Sequence, residues 1–548
     1  MRTYFFILFS VLPILFPVLV KSQACYWVSF TDKNNTPYSL AEPEVYLSER
    51  ALQRRQRQHI AIDSLDLPVN PSYSAAITGI SGVKFLHASK WLNGITVTAT
   101  SDSMLMTAKQ FPFVKDIQLT KPAIGVKSGI NKWVNQSGKP LMQSITSNNG
   151  PSVYQTTIMN GQYIHNQGFW GEGMQIAILD AGFFNVDTYP AFDSLWANNQ
   201  ILGTRDFVNP DDDFFKTNYH GMSVLSCIGG NIPGQLLGTG PKASFWLLRS
   251  EDVATEYLIE EDNWIAAAEF ADSVGCDIIN SSLGYSTFDA PAMNHKYTDM
   301  DGKTTRVTRG ANIAASRGML VFVSAGNEGN KPWKYITAPA DGDNVIAVGA
   351  VNRDSLPAPF TSLGPAADGD IKPNVTALGW NTYLEKRNGE TGYSSGTSFS
   401  SPVMAGMAAC LWQANTGAKA ETVKNIIELT ASQSMQPDSR MGYGIPNMQK
   451  AFLHIINLSE KQKKLTNKWN VFPNPIGEAI FLTCNSCVSQ KNIQIELYSI
   501  DGRLLRNWIK PPTNRTEIRG LQSLPRGIFL LKINHSGHVE TFKLNKVR

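Results

Sequence analysis

Between Pro151 and Leu458 the chain repeats one pattern: a short apolar run, then a stretch of helical periodicity. The runs are MQIAILD, ASFWLLRS, CDIINSSLG, MLVFVSAGN and NVIAVGAV. Strands that are apolar throughout need cover on both faces, and crossover helices on a parallel sheet supply it. The spacing therefore predicts an α/β domain, residues 151–458, built on a doubly wound parallel sheet. Glu256 to Gly275 reads as one crossover helix, with Leu258, Trp264, Ala267, Ala268 and Ala271 near one face.

The whole chain, at 548 residues, exceeds what one core usually supports. Residues 25–120 alternate strand-like runs (YWVSF, VKFLH, GITVTAT, FVKDIQL) with helical stretches at Glu44 to Gln58 and Ser101 to Gln110, the pattern of a small α+β unit. Residues 121–150 are polar and without period, and read as a linker. A second, charged linker is expected over 459–469. Residues 470–548 turn all-β, with turns at Asp501-Gly502 and Pro525-Arg526-Gly527, and predict a small all-β sandwich.

Arg2 precedes an apolar run from Tyr4 to Val20, and small residues follow at Ser22 and Ala24. Residues 1–24 thus read as a secretory signal peptide, cut after Ala24 or nearby. Cys25 raises a lipoprotein reading, which the missing Leu three positions upstream weakens. No later run approaches the roughly 20 apolar residues of a spanning helix, so no integral membrane segment is expected after cleavage. A hydrophobic fraction of 42% and a charged fraction of 17% describe globular material, and a net charge of +4 gives no basic field for nucleic acid. The six cysteines of an exported chain permit disulfides, and Cys484-Asn485-Ser486-Cys487 can close a small loop. Further pairing does not follow, and one CxxC alone is a weak zinc signal.

Three segments put a reactive side chain at the end of a strand or the start of a helix. Asp180 ends MQIAILD, where open parallel sheets bind ligands, although a turn-capping role fits equally well. His220, in NYHGMSVLSCIGG, is by itself more often a core or capping histidine. Ser398, in GYSSGTSFSSPVMAGMAACLWQ, is more specific: a helix starting there brings free N–H groups and a positive dipole end to the hydroxyl. Pro402 is read as a first-turn proline. Asn327, in VFVSAGNEGN, offers an amide donor, with a left-handed turn as the bland alternative.

The order Asp, His, Asn, Ser, with ILDAG, HGMSV, SAGNEGN and GTSFSSP, resembles the subtilisin family of serine endopeptidases over about 300 residues. Gly240-Pro241-Lys242-Ala243, INSSLG and KPNVTALG also stand in family position. The resemblance implies Asp180, His220 and Ser398 as the catalytic triad and Asn327 as an oxyanion donor. It implies a substrate edge at Ser282, Leu283 and Gly284, and an S1 pocket shared with Ser324, Ala325 and Gly326. Protein or peptide substrates follow, and the chemistry needs no cofactor or metal. A structural Ca2+ is compatible with the chain but unsupported, since Asp299-Met300-Asp301-Gly302, within an insertion from Tyr285 to Gly310, reads better as a solvated polar turn. The sequence departs from the family at Ala181, Met222 and Ser223, where hydroxyl-bearing, Thr and His residues are usual.

The N-terminal unit resembles subtilisin propeptides, which implies a folding template and inhibitor cut away within 121–150. VFPNP, LYSIDGRLL, LPRGIFLLKI and TFKLNKV resemble the sorting domain of the type IX secretion system of Bacteroidota. That implies secretion machinery as a partner, and export through the periplasm across the outer membrane to the surface or medium. A catalytically silent binding protein is the rival from another class. Whether the enzyme degrades protein generally or processes a few partners does not follow from the residues.

Overall fold

The computed structural model describes residues 23–123, 150–466, 469–484, 492–511, 513, 515–536 and 538–547. The signal segment through residue 22 and most of the first linker, 124–149, lie outside them. The chain divides into two compact units between Ile455 and Ile456.

In the first unit, β1 (Ala24–Phe30), β2 (Val83–Ser89), β3 (Gly94–Ala99) and β4 (Val114–Lys121) form an antiparallel sheet in the order β2-β3-β1-β4. The alternation of β1 explains its burial on both faces. Tyr26, Val28 and Phe30 enter the unit's own core with Ile77, Ile95 and Val97. Cys25 points the other way, into a cluster with Tyr257 and Ile259. Two expected helices are shorter than predicted. Glu44 to Gln58 resolves into a 3-10 turn, Pro43–Val45, and α1, Glu49–Gln58, because the Ser48 side chain accepts from Ala51 N and starts the helix there. Ser101 to Gln110 is one short helix, Asp102–Met106, running into a 3-10 turn, Thr107–Gln110.

The α/β region carries seven parallel strands: β5 (Gln175–Asp180), β6 (Ile201–Asp206), β7 (Ser244–Arg249), β8 (Ile278–Ser281), β9 (Leu320–Ser324), β10 (Ile346–Val351) and β11 (Val375–Leu378). Their order is β11-β10-β9-β8-β5-β7-β6. The doubly wound parallel sheet expected from the apolar runs is thus the observed one. The chain fills one side of β5 and then crosses to the other, so the switch point, where such sheets bind ligands, lies at β5.

One face packs under α4 (Ile259–Val274) and α5 (Arg306–Ser316), with Trp264, Ala267, Ala268 and Ala271 in that core. Leu258 joins the same core from just outside the helix, which begins later than Glu256. The other face carries α6 (Thr397–Gln413), buried through Trp412, whose small residues Ala405, Gly406, Ala408 and Ala409 let it pass close to the strands.

The four-stranded sheet docks onto α4 and α5 through charge as well as apolar surface. Arg54 and Arg55 of α1 are almost wholly buried; both pair with Asp272 of α4, the latter at 2.9 Å, and Arg55 also reaches Asp66 at 2.8 Å. Lys90 adds a third cation at 3.3 Å from Asp272. Glu269 of α4 accepts from Lys90 N at 2.8 Å and Trp91 N at 3.0 Å. Arg306 at the start of α5 pairs with Asp262 and lies over the Trp27 ring, 5.2 Å from its centroid.

The segment read as the second linker is helical through Thr466, as the end of a helix that starts at Met448. The second unit has a three-stranded sheet, Trp469–Phe472, Ala479–Cys484 and Arg515–Arg519, and a four-stranded one, Ile493–Ser499, Leu504–Lys510, Gly527–His535 and His538–Lys546. Ile480, Leu482 and Ile518 from the first sheet share a core with Ile495, Leu497, Leu531 and Ile533 from the second, which makes it the expected all-β sandwich. Cys484 is disulfide-bonded; Cys487, the partner suggested by spacing, lies outside the described residues. Cys25, Cys227, Cys276 and Cys410 are free and buried. Among the described residues no helix is long and apolar enough to cross a membrane.

Candidate active site

Asp180 is the last residue of β5 and is fully buried. Its Oδ1 lies 2.7 Å from His220 Nδ1 and accepts from Ala181 N at 2.7 Å, while Oδ2 has no hydrogen-bond partner. Burial pushes the carboxyl above the usual carboxylate range; the imidazole and the Ala181 N–H pull it back. His220 opens helix α3 (His220–Gly229). Gly221 permits the close approach of that helix to the strand end: a Cβ there would lie 2.5 Å from Gly182 O and 2.8 Å from Asp180 Cβ.

Ser398 is the second residue of α6, so its hydroxyl sits in the first turn, where backbone N–H groups lack helical acceptors. The rings of His220 and the adjoining Phe399 are 5.9 Å apart. Ser398 Oγ donates to Ser282 O at 3.4 Å, and Ser282 Oγ donates to Ser398 O at 2.8 Å. The second bond corrects the reading of Pro402, which is the sixth residue of the helix and not in its first turn. A proline there removes the N–H that would bond the Ser398 carbonyl. Ser282 supplies the missing donor, which is why the helix continues through the proline.

Asn327 follows β9, and its backbone is not left-handed. Its Oδ1 accepts from Thr397 N at 2.9 Å and Thr397 Oγ1 at 3.0 Å, which fixes the amide with Nδ2 facing away from Thr397. A Cβ added to Gly396 would lie 3.7 Å from both Asn327 Nδ2 and Ser398 N, so two donors converge on one small region. Thr397 was not singled out from sequence; its place beside the serine, at a helix start, was the available signal. Ser282 and Leu283 are buried, Gly284 is exposed, and Ser324, Ala325 and Gly326 continue the neighbouring strand, so the predicted site residues gather at one end of the sheet.

The departures from family pattern take up structural work. Met222 is buried in the core, and Ser223 Oγ donates to Glu385 O at 2.8 Å. Glu385 belongs to a hairpin, Thr382–Glu385 with Thr391–Ser394, and both its carboxylate oxygens are buried without a hydrogen-bond partner. Burial alone pushes its carboxyl up to about 7. In the Tyr285 to Gly310 insertion, Asp301 accepts from Lys303 N at 3.1 Å and Thr304 N at 2.8 Å, capping its own turn.

A buried acid bonded to an imidazole, beside a serine at the start of a buried helix on a parallel sheet, is the architecture of a serine peptidase, and this chain is one. Residues 171–444 match the Subtilase family, residues 25–136 the peptidase S8 propeptide domain of Bacteroidota, and residues 470–546 the secretion system C-terminal sorting domain. Serine protease AprX of Bacillus subtilis (strain 168) is 29% identical over 331 residues, 55% of this chain and 69% of that protein. Subtilisin NAT of Bacillus subtilis subsp. natto is 28% identical over 294 residues, 53% of this chain and 68% of that protein. A solved structure of MycP1 from Mycobacterium smegmatis is 19% identical, with a TM-score of 0.44 over 57% of this chain and 86% of that one. The chain belongs to the subtilase family, as a propeptide-bearing precursor with a sorting domain that implies secretion or cell-surface export.

Proposed function

We propose that this protein is a secreted serine endopeptidase in which Asp180, His220 and Ser398 act as a triad and Asn327 helps form the oxyanion hole. The observation that carries the reading is the buried 2.7 Å bond between Asp180 Oδ1 and His220 Nδ1, which fixes the orientation of the imidazole and leaves the role of base to Nε2. His220 Nε2 takes the proton of Ser398 Oγ as the oxygen bonds the peptide carbonyl. Asp180 stabilises the imidazolium. The tetrahedral oxyanion accepts from Asn327 Nδ2 and Ser398 N, the bond between the former carbonyl carbon and the peptide nitrogen breaks, and the imidazolium protonates the leaving amine. Water then hydrolyses the acyl-enzyme by the same base. No cofactor enters the chemistry.

The substrate backbone pairs with Ser282, Leu283 and Gly284 as an added strand. In the uncut precursor the Ser398 hydroxyl bonds Ser282 O, and catalysis requires it turned toward His220. Activation is a cut within 121–150, and export runs through the periplasm and across the outer membrane, with the C-terminal unit engaging the secretion machinery. The test is labelling of the purified secreted protein by a fluorophosphonate probe, with casein cleavage in parallel. Both are expected in the wild type and absent in Ser398→Ala; a processed wild type that neither labels nor cleaves overturns the reading.

A further inference from the structure

We infer that Glu385 is a positioning residue for His220, holding helix α3 in place while its carboxyl carries a proton and letting it go when that proton is lost, so that the enzyme is switched down as its surroundings turn alkaline. The inference rests on the catalytic reading above. Glu385 ends the first strand of the hairpin Thr382–Glu385 with Thr391–Ser394, and its backbone grips α3 at two points about one turn apart. Ser223 Oγ donates to Glu385 O at 2.8 Å, and Glu385 N donates to Ser226 Oγ at 3.0 Å. Ser226 Oγ in turn donates to Ser223 O at 2.7 Å, so the two hydroxyls form one patch on the helix that opens with His220. The other strand of the hairpin ends at Ser394, four residues before Ser398.

The side chain has no such partner. Glu385 is only 1% exposed, and neither carboxylate oxygen has a hydrogen bond. The elements packed against its strand bring no charge to it. From α3 come His220, engaged by Asp180, and Cys227, whose Sγ donates to Ser223 O at 3.5 Å. The hairpin itself adds Tyr383, whose hydroxyl shares a 2.7 Å bond with Thr391, and Tyr393, whose ring is 5.1 Å from that of Tyr383. At the turn Lys386 lies against Gly392 on the opposite face, Arg387 lies over the Tyr219 ring, and Glu390 is exposed and bonded by Asn388 at 2.7 Å. Gly150–Ser152, the third neighbour, carries no titratable side chain.

The neutral acid tolerates such a pocket, whereas the carboxylate, with no cation and no donor beside it, does not. Burial accordingly pushes the carboxyl up to about 7. Above that pH the charge is relieved by reaching water, and the hairpin is the element free to move. It is a two-stranded sheet with no third strand, and a lone hairpin is only marginally stable. Lifting it breaks both bonds to α3 and slackens the chain that leads into Ser398, so the imidazole and the hydroxyl lose their alignment. A histidine base by itself gains from rising pH, so a decline just above neutrality belongs to a second group.

The experiment measures kcat and KM of the processed wild type and of Glu385→Gln between about pH 7 and pH 9, each enzyme compared with itself, with circular dichroism over the same range. In the wild type kcat falls about fivefold or more and KM is nearly unchanged; in Glu385→Gln, which keeps the shape of the neutral acid and cannot ionise, kcat stays level or rises. Glu385→Met, of similar length and also uncharged, is expected to match it. Hydrogen exchange at the alkaline end reads the movement without turnover: in the uncut Ser398→Ala chain the amides of 382–394 and 223–230 exchange faster than in the same chain carrying Glu385→Gln. A wild type whose kcat does not fall, a fall that both Glu385 variants share, or a fall that coincides with loss of the whole fold overturns the inference alone. A wild type that neither labels with the fluorophosphonate nor cleaves at any pH overturns the catalytic reading and this inference together.

Discussion

Two contacts oppose the burial that raises the Asp180 carboxyl, one from His220 and one from Ala181 N–H. Asp180→Asn would keep the packing and present the wrong hydrogen-bonding partner to the imidazole, so kcat is expected to fall by about 10^4 with KM nearly unchanged. Asn327→Ala removes one of two converging donors and is expected to lower kcat by about 10^2 to 10^3, the magnitude known for such a donor in subtilisin. Steady-state kinetics on one peptide substrate check both. Glu385 supplies a pH signature. Its carboxyl rises from 4.5 to about 7 on folding, so the native state binds the proton more tightly. Stability is then lost as pH rises from about 4.5 to about 7, with no further loss above. In an inactive Ser398→Ala background, Glu385→Gln is expected to raise the thermal midpoint at pH 8 by about 2 to 4 °C and to leave it unchanged at pH 4. Equal shifts at both pH values would contradict the assignment.

Among the elements, α1 has the least expected role. Its sequence, ERALQRRQRQ, is mostly charged and polar, yet Arg54 and Arg55 are buried against Asp272 of α4. Removing one member of a buried ion pair usually costs about 3–5 kcal/mol, and Arg55 and Lys90 still face Asp272 when Arg54 is gone. Arg54→Ala is therefore expected to destabilise the uncut Ser398→Ala chain by about 2 to 3 kcal/mol in urea unfolding. An effect under about 0.5 kcal/mol, typical of a surface substitution, would show that the pairing contributes nothing. If the propeptide acts as a template, these contacts are its physical means. The parallel sheet pairs strands far apart in sequence, a slow process, and α1 and β2 hold α4 in place from outside.

For the whole molecule, the second unit has a core of its own and belongs to the sorting-domain family. A chain ended before Asn470 should still fold its first unit and accumulate inside the cell, which fractionation and an immunoblot would detect; normal levels in the medium would sink the sorting role. Apolar runs and turn signals sufficed to read the parallel sheet and the all-β unit, because strand burial is a local property of sequence, while four short motifs and the family resemblance put Asp180, His220, Asn327 and Ser398 forward as candidates. The positions that were misread, as Pro402 was, or not reached from sequence at all are those whose partner is distant in the chain. Pro402 is tolerated deep in α6 because Ser282, 116 residues away, bonds the carbonyl it frees. Arg54 and Arg55 are buried because Asp272 waits across the domain contact. Glu385 is closed in only once its hairpin lies against Ser223 and Ser226 of α3. Periodicity determined which elements form, and motifs named which groups are candidates for the chemistry. Which buried polar group is satisfied, and by what, was decided only by the tertiary structure, since hydrogen bonds and ion pairs depend on distances that the order of residues does not contain.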